Sequence, residues 1–151
     1  IGERFTYRIT VPATPVGLPL YDVRILDDLS LSAANLRFVS ATVVSGGTWT
    51  LSNTGTDTFP VIADTITGID IPAGQQAVID ITVELLNTST NNSGLTFINS
   101  ASYTYNSANG NGTTQRVGGV GSTLDMTVVE PAVTAMSSAK KPIPPTAPSV
   151  A

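Results

Sequence analysis

The sequence contains neither cysteine nor histidine, and this double absence excludes much of protein chemistry. Disulfides, thiol nucleophiles, the Ser-His-Asp triad, and zinc or iron sites built on imidazole or thiolate are all removed. Charge is scarce as well, since 12% of the 151 residues are charged and the net charge is −4. That acidic balance argues against nucleic-acid binding, which needs a basic patch. No apolar run approaches the roughly 20 residues of a membrane span. We therefore expect no enzymatic activity, cofactor, metal site, nucleic-acid partner or membrane span.

Hydrophobic residues recur at every second position, which is the period of a strand with one face in a core and one in water. The pattern covers residues 5–11, 79–85, 97–105 and 124–128, and turn signals rich in Gly, Pro, Asn and Ser lie between these segments. The sequence thus predicts an all-β fold, an antiparallel β-sandwich of about seven to nine short strands.

The C-terminal segment differs from the rest of the chain. Lys140 and Lys141 precede four prolines within residues 142–148, so this stretch is expected to be extended and largely polyproline II. A Pro-rich end on a sandwich is either a stiff linker or an arm that reaches a neighbour. We divide the chain into a sandwich domain, residues 1–130, and a C-terminal strand with its Pro-rich arm, residues 131–151.

Five segments, in this order, resemble the motifs of DUF11-like repeats and related fimbrial backbone domains of bacteria and archaea. They are residues 1–10 (IGERFTYRIT), 22–29 (DVRILDDL), 36–41 (LRFVSA), 71–81 (IPAGQQAVIDI) and 99–105 (NSASYTY). The resemblance implies an Ig-like sandwich with a structural or adhesive role, usually repeated in tandem on an extracellular or cell-surface protein.

One departure from the family pattern concerns the first strand, which in those domains precedes the opening motif and is missing here. The tail resembles that missing piece, and joining tail to head reads as a natural family N-terminus. We predict that a C-terminal strand of one copy adds beside the first strand of the next, where its neighbours include Phe5, Tyr7 and Ile9. The donated residues are Ala132, Val133, Thr134, Ala135 and Met136. A sandwich short of a strand exposes unpaired backbone groups, and a head-to-tail contact propagates into a fibre.

The sequence therefore predicts a structural subunit of an extracellular filament or surface array, with identical subunits as its partners. Two other arrangements stay open: a single covalent chain of tandem repeats, and a tail folded back on its own domain. The alternative function is an adhesin-type module that binds a sugar or a protein ligand through its loops.

The fimbrial resemblance also implies a candidate cross-link. In such domains an Asn at the place of Asn99 can form an isopeptide bond with a Lys, assisted by an acid that here corresponds to Asp27. Residues 1–139 contain no Lys, so a bond of this kind could involve only Lys140 or Lys141 from a donated tail. The alternative is that Asn99 is a hydrogen-bonded core residue.

The remaining candidates have plainer interpretations. The acidic residues Asp57, Asp64, Asp70 and Asp80 lack the compact spacing of a calcium loop and are interpreted as solvent-facing. Trp49 is interpreted as a core or rim aromatic, with a sugar platform as the alternative. The triplets that begin at Asn87, Asn91 and Asn111 fit the N-glycosylation pattern and are candidate acceptors.

Overall fold

The computed structural model describes residues 2–64, 68–110, 116–119 and 124–127, the last of these as backbone only. Eleven strands and one turn of 3-10 helix lie in these ranges. The strands are β1 (Arg4–Val11), β2 (Leu20–Asp27), β3 (Leu36–Ser45), β4 (Leu51–Asn53), β5 (Val61–Asp64), β6 (Ile69–Ile71), β7 (Ala77–Leu85), β8 (Thr96–Asn99), β9 (Ala101–Asn106), β10 (Arg116–Gly119) and β11 (Leu124–Thr127), and the 3-10 turn is Leu29–Leu31.

One sheet has three antiparallel strands in the order β1-β7-β3. The central strand, β7, alternates strictly between buried and half-buried residues over its nine positions, as its sequence pattern predicts. β1 pairs with it in unbroken register from Arg4 opposite Glu84 to Val11 opposite Ala77. β3 pairs along its other side with two register shifts. Within the described residues, β1 and β3 are therefore the edge strands of this sheet.

The second sheet runs in the order β10-β9-β2-β5-β4, and β6 also pairs with β2. β5 and β6 lie against different parts of the same strand, with Ile62 opposite Ile25 and Ile71 opposite Leu20. β8 and β9 are separated only by Ser100, and this break marks a change of partner, because β8 pairs with β11 whereas β9 pairs with β2 and β10. The break at Ser100 divides one longer strand into two, which contributes to the count of eleven strands in the described residues where about seven to nine were expected.

The core lies between the three-stranded and the six-stranded sheet, and it consists mainly of aliphatic side chains that point inward at every second position. Its largest fully buried members come from both layers: Ile9, Val11, Ile79, Ile81 and Val83 from one sheet, and Val23, Ile25, Ile62, Ile69 and Ile71 from the other. The structure confirms the all-β antiparallel sandwich.

The outer face of the three-stranded sheet is polar. The Arg8 guanidinium makes two hydrogen bonds to the Asp80 carboxylate, at 2.8 and 3.0 Å, and these lower the pKa of Asp80. Glu84 pairs with Arg37 at 2.9 Å. Among the described residues, no helix is long and apolar enough to cross a membrane.

Candidate functional site: an open sheet edge above a buried polar cluster

β1 has a hydrogen-bonded neighbour on one side only, within the described part of the chain. Leu85 N–H donates to the Glu3 carbonyl at 2.9 Å. Glu3 and every second residue after it therefore direct their backbone groups toward β7. Backbone groups of successive strand residues point to opposite sides. The N–H and C=O groups of Thr6, Arg8 and Thr10 therefore point away from β7, toward the open edge.

The predicted interface residues of β1 alternate with the residues whose backbone groups face the open edge. Tyr7 and Ile9 are buried in the core, and Phe5 is half-buried against Phe97, with ring centroids 6.0 Å apart. Their backbone groups face β7 and their side chains face inward. An added strand would hydrogen-bond to the alternate residues of β1, and the side chains predicted for the interface would lie beneath it. The predicted donor residues, Ala132, Val133, Thr134, Ala135 and Met136, lie outside the described residues.

Three polar side chains meet in the core under this strand. Asp27 at the end of β2 is fully buried, and its Oδ2 accepts hydrogen bonds from the Tyr7 hydroxyl and from Asn99 Nδ2, the latter at 3.2 Å. Asp27 and Asn99 are the two residues that the family resemblance brought together, and the structure places them in contact. Tyr7 is the third member; its inward parity on β1 predicted burial, but nothing in the sequence indicated its partner.

Burial dominates the electrostatics of this cluster. Loss of solvent raises the pKa of Asp27 from 3.8 to about 7; the hydrogen bond from Asn99 opposes the shift and the nearby charge of Asp28 adds to it. Asp27 Oδ1 and Asn99 Oδ1 are buried without a hydrogen-bond partner among the described residues. A carboxyl group in such surroundings favours its neutral form, which can donate as well as accept.

Lys140 and Lys141 lie outside the described residues, so the isopeptide bond stays a prediction. The geometry nevertheless constrains it. In the predicted cross-link the acid would lie beside a Lys amine, whereas here the Tyr7 hydroxyl lies beside Asp27. A hydrogen-bonded core Asn99, the plainer interpretation, matches the contacts seen.

The three glycosylation candidates have different surroundings. Asn91 is fully buried: its Oδ1 accepts from Asn35 N–H at 2.8 Å, and its Nδ2 donates to the carbonyls of Asn35 and Leu86 at 2.9 and 2.7 Å. A glycan on that nitrogen would break this network, so the structure favours a structural role for Asn91. Asn87 is exposed, and Asn111 lies outside the described residues.

Three of the four acidic candidates have hydrogen-bond or ion-pair partners in the fold. Asp80 is paired with Arg8, Asp64 accepts from Thr50 N–H at 3.2 Å, and Asp70 accepts from Asp22 N–H at 3.0 Å. Asp57 is exposed. In the part of the chain that the structure describes, no three acidic side chains lie close enough together to hold a metal ion.

Trp49 is half-buried and packs against the core. Its ring lies so close to Gly47 that a Cβ there would approach it to 2.4 Å. This packing matches a rim aromatic better than an exposed sugar platform.

Neither a comparison with protein-family models nor a search of curated proteins finds a match to this chain. The class that its fold defines is an antiparallel all-β sandwich.

Proposed function

We propose that this protein is the structural subunit of an extracellular filament or surface array, assembled head to tail when each copy donates a C-terminal strand to the next. The observation that carries the proposal is the open edge of β1. A regular eight-residue strand, paired along one side only in the described ranges, presents alternate N–H and C=O groups that an extended segment can complete. An unprotected edge of this length is a liability for an isolated protein.

The features that usually block an edge strand are few on β1. It contains no proline, and its register with β7 shows no bulge. Its two charged side chains, Arg4 and Arg8, are ion-paired with Glu84 and Asp80 on the outer sheet face. The edge is thus regular, and its two arginines are held by ion pairs on the outer sheet face, which leaves the edge backbone groups available to a strand such as residues 132–136.

A proline at Thr6 tests the proposal without disturbing the ladder to β7. The Thr6 N–H points to the open edge, so Thr6→Pro removes a donor that only an added strand would use, and edge strands tolerate proline. The matched control is Thr6→Val, which loses the same 2.8 Å side-chain contact with Thr82 Oγ1 but retains the N–H.

We expect the wild type and Thr6→Val to form polymers that are visible by light scattering and electron microscopy, and Thr6→Pro to remain a folded monomer. Deletion of residues 131–151 should have the same effect as the proline. Normal polymers from a folded Thr6→Pro protein would contradict strand addition at β1. The packing of Trp49 gives the adhesin alternative no support.

A further inference from the structure

A second open feature lies at the Val11 end of the sandwich. The loop that follows β1 meets β9 and β10 there and leaves a groove of about 360 Å³. The loop contributes Val16, Leu18 and Pro19, and the strands contribute Tyr103, Tyr105 and Arg116. Hydrogen bonds from Gly74 N–H to the Val16 carbonyl and from Gln76 Nε2 to the Pro12 carbonyl fix the loop against the turn before β7.

The groove has an aromatic wall. The rings of Tyr103 and Tyr105 lie with their centroids 5.8 Å apart and their planes inclined at 37°. Gly118 lies opposite Tyr103 in the ladder, and a Cβ there would approach the ring to 2.3 Å, so the strand pair fits this ring only because the residue is glycine. The opposite wall is apolar and includes Leu18, which is 75% exposed.

Three side-chain polar groups of this groove have no hydrogen-bond partner in the described ranges. This holds for the hydroxyls of Tyr103 and Tyr105 and for the Arg116 guanidinium. Burial raises the pKa of Tyr103, so its hydroxyl stays protonated and able to donate. All three are donors, which suits a ligand that offers backbone carbonyls and few competing N–H groups.

A polyproline II segment has this chemistry. Its carbonyls have no internal partners, its prolines lack N–H groups, and grooves lined by aromatic rings are the common way to bind it. The chain carries such a sequence at residues 142–148 (PIPPTAP), outside the described residues.

The groove lining carries one charged side chain, Arg116, and the acidic side chains that suit a basic segment lie beside the groove. Two of the seven basic residues of the chain are Lys140 and Lys141, next to the prolines, so residues 1–139 carry the whole acidic excess. Asp22 accepts a hydrogen bond from Asn106 Nδ2 at 3.0 Å, and Asp70 accepts one from Asn109 Nδ2 at 3.4 Å. Asn106 and Asn109 flank the groove residue Ser107 in the chain, so both carboxylates lie beside the groove.

We infer that the groove between residues 16–20 and Tyr103, Tyr105 and Arg116 binds the Pro-rich segment 142–148 of the neighbouring copy. The inference rests on the proposed strand donation, because a strand donated parallel to β1 ends near Val11, beside this loop. The five residues 137–141 then span up to about 17 Å to the first proline. The arm thus adds a second contact to the strand addition and raises the effective concentration of the donated strand.

Photocrosslinking of the full-length chain tests the inference. Pro144→p-benzoylphenylalanine places a photoreactive group in the arm, and Val150→p-benzoylphenylalanine is the control outside the Pro-rich stretch. An equal mixture of unlabelled and ¹⁵N-labelled protein is assembled and irradiated, and mass spectrometry maps the cross-linked peptides. We expect the Pro144 probe to link mixed-isotope pairs to peptides that contain residues 16–20 or 103–105.

Variants of the groove give a second measurement. Leu18→Ser, at an exposed position, should lower the yield of this cross-link about fivefold because it removes apolar contact with the arm. Leu31→Ser is the matched control, since Leu31 is 80% exposed and does not line the groove. This control should leave the yield unchanged.

The other outcomes would overturn the groove assignment alone, or strand donation with it. Mixed-isotope links at sites other than the groove would overturn the inference and leave strand donation intact. Links to the groove only within one isotope would mean that the tail folds onto its own domain, and would overturn strand donation as well. A yield that Leu18→Ser does not change would also overturn the assignment of the groove.

Discussion

Replacing Asp27 with asparagine should stabilise the fold at pH 8 and change its stability little near pH 4. The wild-type carboxyl is fully buried, and burial raises its pKa from 3.8 to about 7. Between these two values the native state binds the proton more tightly than the unfolded state does. The free energy of unfolding therefore falls as pH rises through this window.

The size of the effect follows from the shift. A rise from 3.8 to about 7 is about three pH units, and at 1.36 kcal/mol per unit the wild type loses about 4 kcal/mol between pH 4 and pH 8. This is a large part of the roughly 5–15 kcal/mol that typical domains possess. The side chain introduced by Asp27→Asn would carry no charge, and its amide nitrogen would supply a donor to the cluster in which Asn99 Oδ1 has none.

Urea denaturation at pH 4, 6 and 8, followed by the fluorescence of Trp49, measures this dependence. Trp49 is the only tryptophan and packs against the core, so its emission reports on unfolding of the sandwich. Measurement at two protein concentrations separates folding from assembly. Asp57→Asn, at an exposed position, is the charge-matched control and should follow the wild type.

We predict a steep decline of stability with pH for the wild type and the Asp57→Asn control, and a much flatter one for Asp27→Asn. A wild-type stability that is constant from pH 5 to 8, or an Asp27→Asn protein that is less stable than wild type at pH 8, would refute this reasoning.

Three further predictions concern individual residues. Asn91→Ala should lower the free energy of unfolding by about 3 kcal/mol in urea denaturation, because three buried hydrogen bonds are lost, whereas Asn87→Ala at the exposed neighbouring position should have little effect. Gly46→Ala should lower the melting temperature, because φ is +99° and the new Cβ would meet the Gln76 carbonyl oxygen at 2.1 Å; Gly17→Ala, in open space, should not. Assembled material should dissociate into single chains when boiled in detergent, because the Tyr7 hydroxyl lies beside Asp27 where an isopeptide bond would need a Lys amine. A ladder of covalent multiples that disappears with Asn99→Ala would contradict this.

The sequence predicted the regular part of the fold well, for a physical reason. β1 and β7 each alternate without interruption, and every inward side chain of β7 from Ala77 to Leu85 is buried. β3 is less regular, because its register shifts between Phe38 and Ser40 and again between Val43 and Ser45. Such bulges depend on the partner strand and leave no clear signal in the sequence of the strand itself.

The buried polar cluster was only partly predictable. Alternation along residues 97–105 indicated that Asn99 points inward, and the family resemblance identified Asp27 as its partner. The contact with Tyr7 joins residues 20 positions apart on different sheets, so it arises only when the layers pack. Asn91 shows the opposite case, because its triplet suggested a surface acceptor whereas the fold buries its amide, which joins the backbone at Asn35 to the backbone at Leu86.

The groove that we assign to the Pro-rich arm had no signal in the sequence. The prolines predicted an extended segment, but nothing indicated where it would bind. Tyr103 and Tyr105 occupy alternate positions of a strand pattern, as ordinary residues on one face of a strand do. Only the loop after β1, which lies against β9 and β10, makes a groove from them.

Strand donation at β1 is tested most directly by engineered disulfides, and the absence of native cysteine gives a clean background. Thr6→Cys is combined in turn with a cysteine at each of residues 132–136, and the oxidised proteins are separated on non-reducing gels. Neighbouring strands of a sheet lie about 4.7–4.9 Å apart, within disulfide range. We predict that at least one pair gives a ladder of covalent multiples that collapses to a single band on reduction. If every pair gives only monomers, with or without an internal disulfide, the polymer account is wrong.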